Sequence, residues 1–220
     1  MQKIEQGFFI RTDQGEFQTR KLLIATGLKE ELPEITGVVE HYGKSIFYCP
    51  YCDGWELRDR PLIVVSDQPG IYHFAKLLYN WSRDLMVCTN GKSVLTEEEK
   101  QELNAKNILV SEQMVQSFNG IDGQLEEVKF IDGTRIKRTG GFIIPKWFPQ
   151  LDFLKSINYK KNDKTAVLTD AMGKSTIPGL FAAGEATTGG PTQLIVAAAS
   201  GSVVATSINL ELTEEQFYFK

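Results

Sequence analysis

The chain has 220 residues, of which 42% are hydrophobic and 24% are charged, a composition that can bury one or two substantial cores. Its formal charge is −4 and no stretch gathers Lys and Arg on one face, which argues against a nucleic-acid partner. Three cysteines do not form the disulfide framework of a small secreted domain, and neither a leader segment nor an uninterrupted run of 18 apolar residues is present. We therefore expect a soluble protein of a reducing, cytoplasmic setting that binds neither nucleic acid nor membrane.

The N-terminal segment predicts a β-hairpin followed by a buried strand. Residues 7–12 and 15–20 are both strand-like and flank a short polar turn. Residues 21–27 then form an apolar run that ends on a glycine. Pro33 and Gly37 follow, and they mark a crossing between two domains.

The hexapeptide Cys49-Pro50-Tyr51-Cys52-Asp53-Gly54 carries the most specific chemical pattern. Two thiols three positions apart can close a small disulfide ring and can accept or release two electrons and two protons. A helix that begins at this pair would favour the thiolate, and Asp53 could exchange a proton with the neighbouring thiol. The pattern therefore favours thiol–disulfide exchange.

Two other interpretations of the cysteine pair remain open at this point: buried core cysteines, and half of a zinc site. Zinc requires about four ligands, and no other cysteine or histidine lies at a suitable spacing. We expect no metal site. Cys88 lies in an apolar run and is expected to be an inert core thiol, whereas His41 is expected on an exposed loop.

The middle of the chain predicts a βαβ unit, the building block of a nucleotide-binding domain. Residues 61–66 and 84–89 are the two apolar strands. Apolar residues recur between them at helical spacing, at Ile71, Phe74, Ala75, Leu78 and Trp81.

A short charged helix is predicted next, because Thr96 and Glu99 stand at the spacing of a capping box. A meander of strands is expected near residues 108–110, 124–130 and 134–138. Residues 140–145 contain two glycines and a proline, which favours a second crossing between domains.

The last third of the chain combines a strand with a long helix. Residues 176–185 contain a turn, a run of small and apolar residues, and an acidic end. A helix rich in Ala, Gly and Ser is expected from Pro191 to about Leu210, and such a helix can pack close to a sheet or a ligand.

Together these segments resemble the low-molecular-weight thioredoxin reductases and their relatives among the FAD- and NAD(P)-dependent disulfide oxidoreductases. The resemblance rests on Ala25-Thr26-Gly27, on the cysteine hexapeptide, and on Gly179–Glu185 followed by Gln193. Their order and spacing cover nearly the whole chain and are more specific than any single motif. The sequence from Tyr48 to Glu56 is most similar to the branch that includes reductases of small dithiols.

The resemblance implies an α/β fold of two Rossmann-like three-layer domains, one inserted into the other. Residues 1–37 and 145–220 would be two parts of an incomplete FAD-binding domain. Residues 38–144 would be the inserted NAD(P)-binding-like domain, which carries the cysteines. The family usually forms homodimers, and the partner would be a thioredoxin-like protein or a small dithiol or disulfide.

The resemblance also implies roles for individual residues. Cys49 would attack the substrate, Cys52 would face the flavin, and Asp53 would be the acid–base. The carboxylate of Glu185 would hold the ribityl chain, and the helix start near Gln193 would face the pyrimidine edge of the flavin. The implied cofactor-binding residues are Ala25, Thr26, Gly27, Gly184, Glu185, Gln193 and Leu194.

The chain departs from the family pattern in three places. No Gly-x-Gly-x-x-Gly loop follows an N-terminal strand, so the chain resembles the family without the front of its flavin domain. This argues against FAD binding by these residues alone.

The second departure concerns the nicotinamide cofactor. The loop Ser66–Gly70 has one glycine and an aspartate where a phosphate would approach, and Thr89-Asn90 offers no ribose-binding carboxylate. Binding of NAD(P)H in the usual mode is therefore not expected, and a ferredoxin or another protein could be the donor. Glu185 replaces an expected Asp.

The hypothesis from the sequence is a flavin-dependent disulfide oxidoreductase, in which electrons pass from FAD to the Cys49–Cys52 disulfide and on to a protein or small-molecule disulfide. The alternative is a truncated, catalytically inactive fragment, or a binding module, that keeps the fold without flavin. A stand-alone thioredoxin-like exchanger is disfavoured, because its cysteine motif would lie within the βαβ unit and not before it.

Overall fold

In the computed structural model, which describes residues 1–218, the chain divides into two compact units. Unit 1 consists of Met1–Glu30 together with the chain from Trp147 onward, and unit 2 is the continuous segment Glu31–Lys146. The first boundary lies seven residues before the expected one at 37, and the second lies two residues after the expected one at 144. The assignment of the units to FAD binding and to NAD(P)-like binding stays a prediction.

The helices and strands are as follows in chain order. The strands are β1 (Gln2–Ile4), β2 (Gly7–Thr12), β3 (Gly15–Thr19), β4 (Leu22–Ile24), β5 (Leu28–Glu31), β6 (Ile46–Phe47), β7 (Leu62–Val65), β8 (Leu85–Cys88), β9 (Leu109–Ser111), β10 (Val115–Ile121), β11 (Gln124–Phe130), β12 (Arg135–Lys137), β13 (Gly140–Ile143), β14 (Lys146–Pro149) and β15 (Leu180–Ala182). The helices are α1 (Val38–His41), α2 (Pro50–Asp53), α3 (Ile71–Leu78), α4 (Glu97–Asn104), α5 (Glu185–Thr188) and α6 (Leu194–Tyr218).

Unit 2 is built on a five-stranded sheet in the order β6-β13-β7-β8-β9, in which every neighbouring pair is parallel. Its strands β7, β8 and β13 are buried along their whole length, as is typical of a parallel sheet that is covered on both faces. This confirms the predicted βαβ unit and the α/β class.

Two apolar layers cover that sheet. On one face, Val64 and Phe142 pack with Ile71, Ala75 and other buried residues of α3. On the other face, residues such as Ile63 pack against the antiparallel strands β10, β11 and β12. Unit 2 therefore has three layers: helices, the parallel sheet, and a meander.

The predicted crossing at residues 140–145 lies slightly early, because residues 140–143 form an interior strand of the sheet and the boundary between the units falls between Lys146 and Trp147. Its two glycines permit close approach of the neighbouring strand: a Cβ on Gly141 would lie 2.8 Å from Cγ2 of Ile63. The apolar Phe142 and Ile143 then continue the strand into the core, where both are fully buried.

The meander was predicted in part. β11 and β12 lie close to the expected ranges, but residues 109–111 form β9, which pairs in parallel with β8. The helix α4 precedes β9 and returns the chain to the start of the sheet, so β9 extends the parallel sheet and does not join the meander. The capping box that begins α4 is present as predicted, with Thr96 and Glu99 each accepting from the other's backbone N–H.

Unit 1 contains smaller sheets. The predicted hairpin is confirmed as β2–β3, to which β1 adds antiparallel; β4 pairs in parallel with β15, and β5 pairs with β14. Phe8, Ile24, Leu154 and Leu180 are among the buried residues of its main core.

The helix α6 begins three residues later than expected and continues to Tyr218, because no proline or glycine interrupts it after Gly201. By length and composition alone it could cross a membrane, with a mean hydropathy of 1.4 over 18 residues, of which 11% are buried. A single helix of this kind is weak evidence for a span, because the core helix of a soluble protein can pass the same test.

Candidate active site

Cys49 and Cys52 are joined by a disulfide across the start of α2, with their Cα atoms 5.3 Å apart. Cys49 is the N-cap, and Pro50 occupies the first turn, where its missing N–H costs no hydrogen bond. The carbonyl of Cys49 accepts hydrogen bonds from the N–H groups of Cys52 and Asp53, each at 3.1 Å. This single turn of helix fixes the two sulfur atoms at bonding distance.

The disulfide lies at the surface of unit 2 beside exposed aromatic side chains. Cys52 is exposed, whereas Cys49 is partly buried. Tyr51 is 68% exposed and Trp55 is 65% exposed. The guanidinium of Arg58 lies 4.1 Å from the centre of the Trp55 ring, an arrangement that holds the indole in place. A thiol or disulfide that approaches the Cys49–Cys52 pair would therefore meet flat apolar surface.

Asp53 is the ionisable group next to the disulfide. Its partial burial raises the pKa of its carboxyl above the usual value, and repulsion by the nearby Glu56 raises it further. A carboxyl group with a raised pKa holds its proton more readily, which suits a group that donates a proton to a leaving thiolate.

The third cysteine is isolated from this chemistry. Cys88 is fully buried, and its Sγ donates to the carbonyl of Gln113 at 3.1 Å. Burial raises the pKa of the Cys88 thiol to about 11, so the reactive thiolate is scarce at neutral pH. These contacts agree with the expectation of an inert core thiol.

The expectation for His41 was wrong, because its side chain is buried on α1 and not exposed on a loop. Its Nδ1 lies 2.8 Å from the carbonyl of Gly37, and its Nε2 is buried without a hydrogen-bond partner. The tight approach of α1 to β10 encloses the ring. Within residues 1–218, no three His, Cys, Asp or Glu side chains are placed to share a metal ion.

The predicted cofactor-binding residues of unit 1 lie mostly where β4 and β15 end. Gly184 has φ +60° and ψ −142°, a conformation that is essentially restricted to glycine, and it directly precedes α5. The carboxylate of Glu185 accepts from the N–H of Thr192 at 2.9 Å. A Cβ added to Gly27 would lie 3.7 Å from Oε2 of Glu185, so the ends of the two strands meet at this carboxylate.

The other predicted cofactor-binding residues lie directly after β4 or at the start of α6. Ala25 and Thr26 are exposed, and the Thr26 hydroxyl donates to the carbonyl of Gln150 at 3.1 Å. Gln193 immediately precedes α6, and its carbonyl accepts from two N–H groups of the first turn. Leu194, the first residue of α6, is 87% exposed.

Thr192 was not among the predicted residues, although a threonine just before a helix is a recognisable signal. Its Oγ1 is buried and has no hydrogen-bond partner, while its own N–H is bonded to Glu185. An orphaned hydroxyl is costly to bury. It therefore supports the presence of a polar ligand at this end of unit 1, as expected for the ribityl side of a flavin.

The residues fit only that side of FAD. No Gly-x-Gly-x-x-Gly sequence occurs anywhere in the 220 residues, so the chain itself contains no phosphate loop of the usual type for the pyrophosphate. Unit 2 has a crevice of about 280 Å³ at the carboxyl ends of β7, β8 and β13.

The chain is similar in sequence and in structure to known proteins. No family model matches the chain. The solved structure of a Bacillus anthracis protein assigned as thioredoxin reductase TrxB is 38% identical, with a TM-score of 0.87; the match covers 96% of this chain and 74% of that one. The thioredoxin reductase aclD of Aspergillus oryzae is 29% identical over 83% of this chain and 62% of its own length.

The thioredoxin reductase of Aquifex aeolicus is 25% identical over 90% of this chain and 63% of its own length. The chain thus spans about three fifths of the length of these curated relatives. The solved structures also share the α/β architecture of the described residues. With the disulfide at the start of α2 and the strand ends at Glu185, this similarity shows that the chain belongs to the thioredoxin reductase-like family of FAD/NAD(P) disulfide oxidoreductases.

Proposed function

We propose that the Cys49–Cys52 pair alternates between disulfide and dithiol and passes two electrons to the disulfide of a second molecule. The observation that carries this proposal is the disulfide at the exposed start of α2, with the protonatable Asp53 beside it. A merely structural cross-link between residues three apart would close only a very small loop and would contribute little to stability.

In the dithiol form, the thiolate of Cys49 attacks one sulfur of the substrate disulfide. A mixed disulfide forms to Cys49, and the other half of the substrate leaves as a thiolate. The thiolate of Cys52 then attacks Sγ of Cys49, which restores the Cys49–Cys52 disulfide and releases the second half of the substrate. The substrate gains two electrons and two protons, and the cysteine pair loses them.

The position of each cysteine supports this division of roles. Cys49 is the N-cap of α2 and Cys52 lies one turn later, so the thiol that resolves the mixed disulfide stays within reach of the thiol that forms it. Asp53 lies next to Cys52 in the chain, and its raised pKa lets it supply a proton to the departing thiolate.

Bound FAD would supply the electron pair that returns the disulfide to the dithiol. In unit 1, the Glu185 carboxylate and the Thr192 hydroxyl would bind the ribityl side, and Gly27 and Gly184 would leave room for it. The first turn of α6, after Gln193, would place N–H groups toward the pyrimidine edge. The pyrophosphate would then be bound by polypeptide other than these 220 residues.

The proposed substrate is a thioredoxin-like protein or a small dithiol or disulfide, in a cytoplasmic setting. The exposed rings of Tyr51 and Trp55 support a substrate with an apolar surface next to its sulfur atoms. We also propose a homodimer, as the family usually forms; the exposed aliphatic side chains at the start of α6 offer surface that association could bury.

Trapping of the mixed disulfide tests the exchange without any need for flavin. The Cys52→Ser variant cannot resolve the intermediate, so we expect it to accumulate a covalent adduct with 5,5′-dithiobis(2-nitrobenzoic acid) or with an oxidised thioredoxin, detected by mass spectrometry of the intact protein. The Cys88→Ser variant is the matched control and should behave as the unsubstituted chain, because its thiol is buried and protonated.

If Cys49→Ser forms the adduct faster than Cys52→Ser, the two roles are reversed. If neither variant forms an adduct, the exchange proposal fails and the inactive-fragment alternative is supported. A separate titration with FAD, followed by its visible absorption after gel filtration, measures how much of the flavin site these residues supply.

A further inference from the structure

The family is one that uses a nicotinamide dinucleotide, and the fold places one crevice where such a ligand would bind. Open parallel sheets bind ligands outside the carboxyl ends of their strands. In unit 2 this position is the crevice of about 280 Å³, which is lined by Val65 and Ser66 after β7, by Asn90 after β8 and by Ile144 after β13. Whether a dinucleotide fits can be judged from the loop that joins β7 to α3.

That loop has few free N–H donors for a phosphate. Pro69 has no N–H, and the N–H of Gln68 donates to Oγ of Ser66 at 3.2 Å. The N–H of Ile71, at the start of α3, donates to the carbonyl of Gln68 at 3.1 Å. Three of the four backbone positions from 68 to 71 are therefore unable to donate to a pyrophosphate without breaking an existing bond.

The charge of the crevice also opposes a pyrophosphate. The carboxylate side chains of Glu31, Glu34 and Asp67 line it, against the single cation Lys146. A pyrophosphate carries two negative charges, and its approach to Asp67 in a partly enclosed site is repulsive. Phosphate sites of proteins present the opposite arrangement, with backbone N–H groups and cations toward the ligand.

The end of β8 offers no other group that would bind the dinucleotide. Thr89 is fully buried, and Oδ1 of Asn90 already accepts from the N–H of Val115 at 2.9 Å. Thus the two residues that follow β8 offer neither a carboxylate for a ribose hydroxyl nor an arginine for a 2′-phosphate.

We propose that this crevice does not accept NADH or NADPH, because the loop Ser66–Gly70 has replaced a phosphate cradle with an acidic, donor-poor turn. The inference concerns binding by unit 2 and does not rest on the proposed exchange at the cysteines. It separates this chain from the dinucleotide dependence that its family name implies.

Calorimetric titration of the purified chain with NADH and with NADPH tests the inference. We expect no saturable binding up to about 1 mM, the upper end of ordinary substrate KM values. A repaired loop that combines Asp67→Gly, Gln68→Gly and Pro69→Ala removes the charge and restores one N–H. We expect this variant to bind at least about tenfold more tightly, a change that corresponds to roughly 1.4 kcal/mol.

The matched control is Asp122→Gly, which removes one negative charge from unit 2 in the turn between β10 and β11. Asp122 has φ +53°, so glycine suits this position. If the repaired loop does not fold, as judged by circular dichroism, Asp67→Asn alone tests the charge. Saturable binding by the unsubstituted chain overturns the inference. So does a folded loop variant that binds no more tightly than the unsubstituted chain, or equal gain in the control.

Discussion

The two units differ in how completely they bury their own apolar surface. Unit 2 covers both faces of a five-stranded parallel sheet with its own helices and meander. Among the described residues of unit 1, β4 and β15 form a short parallel pair, and the buried residues of its longest helix, α6, are Val204 and Ser207. Large aliphatic side chains of α6 remain exposed: Leu194 at 87%, Ile195 at 72%, Val196 at 53%, Val203 at 43% and Leu210 at 55%.

The two parts of the proposed chemistry, thiol–disulfide exchange and flavin binding, therefore depend on different units. The cysteine pair is held by the unit that completes its own core, whereas the implied flavin residues are held by the unit that leaves apolar surface open. Exposed apolar side chains in such number usually mark surface that a partner or ligand covers. We therefore expect thiol–disulfide exchange to survive in this chain more readily than flavin binding.

Replacement of one phenylalanine in each unit should give the largest contrast. Phe142 is fully buried on β13, with its ring near those of Phe47 and Phe74, so Phe142→Ala should lower the free energy of unfolding by about 3–5 kcal/mol. Phe217 is 77% exposed on α6, and Phe217→Ala should change it by less than about 0.5 kcal/mol. Urea denaturation of the two variants measures both values.

The comparison between the units fails if the two substitutions lower the free energy of unfolding by similar amounts. A large cost for Phe217→Ala that grows with protein concentration would mean that α6 is buried against a second copy in solution. A cost for Phe142→Ala below about 1 kcal/mol would contradict the assignment of β13 to the core of unit 2.

The distance in sequence between interacting residues explains which features could be predicted from the sequence. The hairpin β2–β3, the capping box of α4 and the helical turn at Cys49 depend on residues a few positions apart, and all three were predicted. The central place of β13 depends on strands that are distant in sequence, and its two glycines resemble a turn when they are read locally. β9 was misplaced for the same reason: its parallel partner lies across α4.

The candidate site was predictable to a similar degree. Cys49, Cys52 and Asp53 form one local motif, and the structure brings them together on α2. Gly27 and Glu185 are far apart in sequence, and only the family resemblance assigned both of them to the flavin site. The orphaned hydroxyl of Thr192 and the burial of His41 follow from tertiary packing, which no local pattern records.

Substitutions at two glycines of unit 1 test the comparison further, and we expect them to change the stability by intermediate amounts. Gly184→Ala should destabilise the chain by about 1–3 kcal/mol, because its positive φ and extended ψ are strained for any residue with a Cβ. Gly201→Ala should stabilise it by about 0.5–1 kcal/mol, because Gly201 lies in the interior of α6 and an added Cβ would meet nothing within 4 Å. Thermal unfolding of the paired variants measures both changes.

The sign of the Gly201→Ala effect is the informative result. Stabilisation means that this face of α6 is open in solution. Destabilisation would mean that another polypeptide packs against the glycine, and the exposed state of α6 would then have to be revised. Gly184→Ala should remain destabilising in either case, because its cost comes from its own backbone conformation.

The smallest expected effect concerns Asp53 and depends on pH. Burial, and then repulsion by Glu56, raises the pKa of the Asp53 carboxyl in the folded chain above the unfolded value of 3.8. Between these two pKa values the folded state binds more protons than the unfolded state, so stability falls as pH rises through this window. Above the window the cost of an ionised Asp53 is present in full, and below 3.8 it is absent.

Asp53→Asn removes this titration, so at neutral pH the variant should be slightly more stable than the unsubstituted chain, with a gain smaller than that from Gly201→Ala. The gain should shrink as the pH is lowered through the window, and Glu56→Gln should reproduce only part of it, because repulsion is the lesser of the two causes. Urea midpoints measured across the acidic range check this. A gain that stays constant with pH would mean that the burial of Asp53 does not control its proton, and the acid–base role beside Cys52 would lose its physical basis.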